Sequence, residues 1–109
     1  GKIMATTQIL SNAVNTLANT VQTLFTAGTS PVVIDSFTAA NNSAVNASYK
    51  AYIVSTGTEQ PQIPFKIVTW GDNDLGIGLV NQVIPAGAEL KFEASAIDSI
   101  YFTATGRTV

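Results

Sequence analysis

Hydrophobic and polar residues alternate over much of the chain with the two-residue period of a half-buried β-strand. In residues 46–54, one face carries Ala47, Tyr49, Ala51 and Ile53. Similar segments predict further strands at residues 32–39, 64–70, 79–84, 89–95 and 99–105. Gly, Pro and Asn lie between these segments and mark turns. Short strands at intervals of about 8–12 residues predict an all-β fold, an antiparallel, jelly-roll-like β-sandwich of seven or eight strands.

Residues 8–25 support more than one interpretation. Their apolar positions are separated alternately by four and three residues, as on a coiled-coil helix: Leu10, Val14, Leu17, Val21 and Leu24. The residues between them are mostly Ser, Asn and Thr, which are poor helix formers. The alternative is two strands, at about residues 9–14 and 21–26, with a turn near residues 18–20. A third interpretation makes residues 8–20 an arm that is exchanged with a neighbouring subunit.

The length of 109 residues fits one domain. We interpret residues 1–3 as a remnant of a cloning vector ahead of a natural start at Met4. Residues 4–20 are then an N-terminal arm or the first strands, and residues 21–109 a single β-sandwich domain.

The composition narrows the chemistry that the chain can perform. It contains no His and no Cys, which excludes Ser–His and Cys–His nucleophilic sites, thiolate or imidazole zinc sites, and disulfides. We therefore expect no enzymatic activity and no cofactor. The net charge of −2 gives no electrostatic reason to bind nucleic acid or an anionic membrane. No apolar run approaches the roughly 18 residues of a membrane span.

Charged residues make up only 11% of the chain, against about 25% in an ordinary soluble domain. The hydrophobic fraction of 46% is too high for a disordered chain. Interface cores are poor in charge, so this composition favours a surface that meets other protein. Too few Lys and Glu are present to protect every sheet edge, and pairing between subunits would remove that problem. We expect a homo-oligomer.

One loop, near residues 70–78, gathers the candidate binding residues Trp70, Asp72, Asn73 and Asp74. Asp72 and Asp74 are a weak candidate for a divalent-cation site. The EF-hand pattern fails, however, because a third acidic position is missing and Val83 occupies the twelfth place. The alternative is that they form Asx-turns in an exposed loop, with no metal bound. Trp70 is interpreted either as a core or interface anchor or as a sugar-stacking platform.

Several segments, taken in order, resemble small virion structural proteins of tailed bacteriophages. They are TLFTAG (23–28), VIDSFTAANN (33–42), ASYKAYIV (47–54), IPAGAEL (84–90) and IYFTATG (100–106). The resemblance implies a β-sandwich located in the virion, without catalytic residues. It also implies a role as a capsid decoration (cement) protein or as a neck or tail component, with other virion proteins as partners. By analogy with such particles we expect a trimer.

The alternative function is a carbohydrate-binding or adhesin-type module. It would use Trp70 to stack on a sugar ring and the polar side chains of Asp72, Asn73 and Asp74 to bind hydroxyl groups.

Overall fold

The computed structural model describes residues 7–109, which form nine β-strands and no helix. The strands are β1 (Thr7–Val14), β2 (Gln22–Thr26), β3 (Val32–Asn41), β4 (Ala47–Val54), β5 (Ile63–Val68), β6 (Asn73–Asp74), β7 (Val83–Ile84), β8 (Glu89–Ala94) and β9 (Ile100–Thr108). The prediction for residues 1–3, and the first residues of the predicted arm, lie outside the described range. No helix that could span a membrane is found in the described part of the chain.

Residues 8–25 form two strands separated by a loop, as in the second interpretation, and the helical interpretation is wrong. The strands β1 and β2 are joined by a loop in which Asn19 has a left-handed backbone, with φ of 51°. Asn adopts that conformation more readily than most residues, because its short side chain makes local hydrogen bonds. The strand β1 pairs with β9 of its own chain, so residues from Thr7 onward belong to this sandwich.

Two antiparallel sheets pack face to face. In the first sheet the order is β1-β9-β3, with both β6 and β7 on the far side of β3. In the second sheet the order is β2-β8-β4-β5. The pairs are nested along the chain: β1 with β9, β2 with β8, β3 with β6 and β7, and β4 with β5. A long hairpin rolled up in this way is a jelly roll, so the predicted fold class is confirmed.

The core lies between the sheets and is centred on four aromatic rings. Phe37 and Phe102 come from the first sheet, and Tyr49 and Phe92 from the second. The Phe102 centroid lies 4.4 Å from that of Phe92 and 5.6 Å from that of Tyr49. The alternation in β4, β8 and β9 points the predicted residues inward, because successive side chains of a strand face opposite sides of the sheet.

Several predicted strand boundaries are wrong. The strands predicted at 32–39 and 99–105 continue to Asn41 and Thr108. Of residues 79–84, only Val83 and Ile84 pair with β3. The preceding residues form turns, and Asn81 has φ of 70°. Leu79 is nevertheless fully buried, so its hydrophobicity reflects a core contact made by a loop. The predicted strand 64–70 ends at Val68.

The segment predicted as one long turn, residues 71–78, contains the short strand β6. The residues of β6 pair with Ala39 and Ala40 of β3. The backbone carbonyl of Asp72 also accepts a hydrogen bond from the backbone N–H of Asn41 at 2.9 Å. The segment is therefore part of the first sheet at the end of β3 and not a free loop.

Candidate functional site

Trp70 follows β5 and is 64% exposed. Its backbone N–H donates to Oδ1 of Asn46 at 3.1 Å, which fixes the main chain while the indole stays in solvent. The interpretation of Trp70 as a core residue is therefore wrong. Its ring is available to a partner or a ligand.

The acidic residues of the predicted site divide into two environments. Asp72 and Asn73 are exposed, and the Asp72 carboxylate accepts the backbone N–H of the next residue, Asn73, at 2.8 Å. Asp74 instead accepts hydrogen bonds from the buried Tyr49 hydroxyl and the Gly76 N–H. The structure thus leaves only two of the three polar side chains on the solvent side with Trp70.

Asp74 joins the edges of the two sheets. Besides Tyr49 of β4, its carboxylate meets Nζ of Lys66 on β5 at 3.8 Å. Burial, and then the hydrogen bond to the Asp74 carboxylate and its charge, raise the pKa of the Tyr49 phenol above its ordinary value. The hydroxyl therefore remains a donor at neutral pH, and β6 is tied to the second sheet.

Protein groups already occupy the Asp74 carboxylate, which makes it a poor cation ligand. Among residues 7–109, no group of three or more His, Cys, Asp or Glu is assembled in a way that could hold a metal ion. The two carboxylates do not converge on one point. The Asp72 carboxylate bonds to the Asn73 N–H of its own loop, and the Asp74 carboxylate bonds to the Tyr49 hydroxyl of β4.

Four loops gather at one end of the sandwich: residues 15–21, 42–46, 69–72 and 95–99. We call this the apolar end. The first pair of loops, 15–21 and 95–99, is held by the fully buried Asn15. Its Oδ1 accepts the N–H groups of Ser99 and Ile100, each at 3.0 Å. Its Nδ2 donates to the carbonyls of Leu17 and Ala96.

The second pair of loops, 42–46 and 69–72, is held in the same manner by Asn41, which is 1% exposed. Its Nδ2 donates to the carbonyls of Val45 at 2.8 Å and Val68 at 2.9 Å. Its Oδ1 accepts from Ser43. Asn41 pairs with Ile100, and Asn15 hydrogen-bonds to the same residue, so the two asparagines flank the start of β9.

Each of the four loops carries a large apolar side chain in solvent, and the loop 15–21 carries a second, Val21. The exposed fractions are 49% for Leu17, 54% for Val45, 64% for Trp70 and 60% for Ile97. The only charged residues in these loops are Asp72 and Asp98, which are both exposed. The apolar end therefore combines hydrophobic tips with negative charge.

The opposite end of the sandwich has a different character. Its loops, residues 27–31, 55–62 and 85–88, contain no large aliphatic or aromatic residue. In the second of these, the Glu59 carboxylate accepts N–H groups of Ser55 at 2.6 Å and Thr56 at 2.8 Å. The Ser55 N–H, followed by the Thr56 side chain and N–H, lowers the pKa of Glu59 to about 2.

The edge formed by β1 and β2 is the least protected in the described chain. Neither strand contains a charged residue, and each ends its sheet. A groove of about 330 Å³ lies between them. It is lined in part by Ile9, which is 67% exposed, and by Gln22, whose buried Oε1 has no hydrogen-bond partner in the described residues. The other edge strand of the second sheet, β5, carries Pro64 and Lys66.

Comparison of the chain with protein-family models, with curated proteins and with solved structures gave no match.

Sequence reasoning found Trp70 and Asp72 but missed their setting at the apolar end. It also missed Asn15 and Asn41, which it treated only as one of the poor helix formers of residues 8–25 and as a turn residue. One signal was available: each asparagine lies where a strand ends, Asn15 directly after β1 and Asn41 as the last residue of β3, and unpaired backbone groups there need a side-chain partner.

Proposed function

We propose that the chain is a non-enzymatic structural protein of a tailed-bacteriophage virion that works as a homo-oligomer. In that role it decorates or stabilises the capsid or forms part of the neck or tail. The placement in a virion comes from the resemblance of its strand and turn segments to such proteins. The observation that best supports an assembly role is the uncharged β1 edge.

Exposed strand edges present unpaired N–H and C=O groups, and natural proteins protect them with charge, Pro, bulges or short strands. The strand β1 has eight residues, no charge and no Pro, and its one bulge lies between Ile9 and Ser11. The residues beyond the bulge, Asn12 to Val14, are all exposed. A second copy that adds a strand here would pair these backbone groups and cover Ile9.

The carbohydrate-binding alternative has less support. It required Asp72, Asn73 and Asp74 to face the same ligand as Trp70, and the Asp74 carboxylate is directed at Tyr49 and Lys66 instead. Only the side chains of Asp72 and Asn73 and the Trp70 ring are then left to bind a sugar.

Charged substitutions on the β1 edge test self-association. The wild-type chain is expected to be an oligomer, with three copies predicted, by light scattering coupled to size-exclusion chromatography. The double variant Ile9→Lys, Ala13→Lys should be a folded monomer by the same measurement, because the new charges repel across a paired edge. The control Val45→Lys adds charge at an equally exposed site away from β1 and should keep the oligomer.

A monomeric wild-type chain at high concentration would contradict the proposal, as would an oligomer that the double variant leaves intact.

The location in a virion is tested separately. Antibodies against the chain should label phage particles from the source culture in electron micrographs. Oligomers without labelled particles would refute the virion assignment and leave self-association standing.

A further inference from the structure

We propose that the apolar end is a docking surface for a protein partner whose contact surface combines apolar and cationic side chains. The surface is distinct from the β1 edge, so this inference goes beyond self-association and can fail without it.

The first argument is the distribution of exposed hydrophobic residues. Every loop at the apolar end presents a large apolar side chain, whereas the three loops of the opposite end present none. Single apolar residues scattered over a protein surface are ordinary, but several that are gathered at one end of a molecule point to an interaction site. Tryptophan, the residue type of Trp70, is among those enriched where binding energy is concentrated in protein interfaces.

The second argument is rigidity. The loops are fixed to each other by the buried side chains of Asn15 and Asn41 and by main-chain bonds. For example, the Asp98 N–H donates to the Asn15 carbonyl at 3.0 Å. Loops that are already ordered lose little conformational entropy on binding, which favours affinity. The apolar tips are therefore presented in a fixed arrangement.

The third argument is charge, and it identifies the partner's chemistry. The end carries Asp72 and Asp98, while the described cations lie elsewhere: Lys50 and Lys91 in the middle of β4 and β8, Lys66 on the edge strand β5 beside Asp74, and Arg107 near the opposite end. Two copies meeting head to head would bring acids together. A partner with Lys or Arg around an apolar surface complements both features.

The single tryptophan of the chain provides the experiment, because Trp70 lies within the patch. The full chain is titrated with a short peptide of alternating leucine and lysine, and separately with its leucine–glutamate counterpart. We expect the Trp70 emission to shift to shorter wavelength with the lysine peptide alone. The affinity should weaken as salt is added, because exposed ion pairs are screened.

Matched variants locate the binding. Asp72→Asn with Asp98→Asn should lower the affinity about fivefold, since two exposed ion pairs of about 0.5 kcal/mol each contribute about 1 kcal/mol together. Asn suits both sites because it forms Asx-turns and tolerates the left-handed backbone of Asp98. Leu17→Ser or Ile97→Ser should weaken binding further. The control Val83→Ser changes a similarly exposed residue on β7, near the opposite end, and should have no effect, with circular dichroism verifying the fold of each variant.

Three results would overturn the inference. Equal emission shifts with the lysine and the glutamate peptide would show that the apolar end does not select a cationic partner. An emission shift that depends on protein concentration without peptide would make a second copy the occupant. A shift on addition of saccharides, abolished in a Leu17→Ser variant, would assign the surface to carbohydrate.

Discussion

At the scale of single residues, the apolar end depends on two buried amides. Asn15 and Asn41 each satisfy backbone groups that a strand leaves unpaired where it ends. An unpaired buried polar group costs about 1–3 kcal/mol, so one amide that joins two loops has a large effect on stability. The loops keep their positions because these side chains replace missing ladder hydrogen bonds.

Asn15→Ala should lower the free energy of unfolding by about 3 kcal/mol, because it orphans buried backbone groups of Ser99 and Ile100. Urea denaturation followed by circular dichroism measures the change. Asn12→Ala, an exposed site on β1, should stay within about 0.5 kcal/mol of wild type. Equal stability of the two variants would show that the Asn15 amide does not hold the loops.

Glu59 should make the loop between β4 and β5 sensitive to acid. In the unfolded chain its carboxyl takes up a proton near the usual pKa of 4.5, whereas in the folded loop it does so at about 2. A lowered pKa stabilises the folded state above pH 4.5, and this contribution is lost as the pH falls towards 2. The protection factors of the Thr56 and Gly57 amides, which compare their exchange with that of an unfolded chain at the same pH, should fall over that range.

In Glu59→Gln the same amides should exchange faster at neutral pH and lose the acid dependence. Glu93→Gln serves as the control, since the Glu93 side chain accepts no backbone hydrogen bond in the described structure. If the protection factor of the Thr56 amide in the wild type is constant between pH 4.5 and 2, the Glu59 carboxylate is not what holds the loop closed.

At the scale of the element, β9 organises the first sheet. It lies between β1 and β3 and pairs with both along its length. Gly106 marks the closest approach: a Cβ at this position would collide with the Val33 carbonyl oxygen and the Leu10 side chain. The glycine is required there by the closeness of neighbouring strands and not by a turn.

Gly106→Ala should therefore destabilise the protein by about 1–3 kcal/mol, as expected for overpacking in a core. Thermal and urea unfolding provide the measurement. The matched control is Gly28→Ala, where a Cβ would meet nothing within 4 Å, and there we expect a change of at most about 0.5 kcal/mol. Comparable losses at both positions would contradict the close approach.

At the scale of the whole molecule, the nested pairing of strands makes loop closure costly in chain entropy. Of the paired strands, only β4 and β5 are neighbours along the chain, and β1 pairs with β9 across most of the sequence. Chain ends must meet before the first sheet can form, and such non-local topologies fold slowly. The fold also explains why the four loops of the apolar end converge.

Refolding from urea should take milliseconds to seconds, as in other all-β sandwiches, when followed by Trp70 fluorescence or circular dichroism. Completion within microseconds would be inconsistent with a transition state that requires the pairing of β1 with β9.

The sequence by itself determined the sandwich and the inward faces of its main strands. Alternation is a local signal, so Tyr49 and Phe102 could be assigned to the core from their neighbours alone. The tertiary structure decided the surroundings of the loop residues, because these depend on contacts between residues far apart in the chain. Leu79 is buried from a loop, Asp74 turns towards Tyr49, and Trp70 stays in solvent. The apolar end exists only because nested strand pairing brings four loops together, and no local pattern encodes which loops will meet.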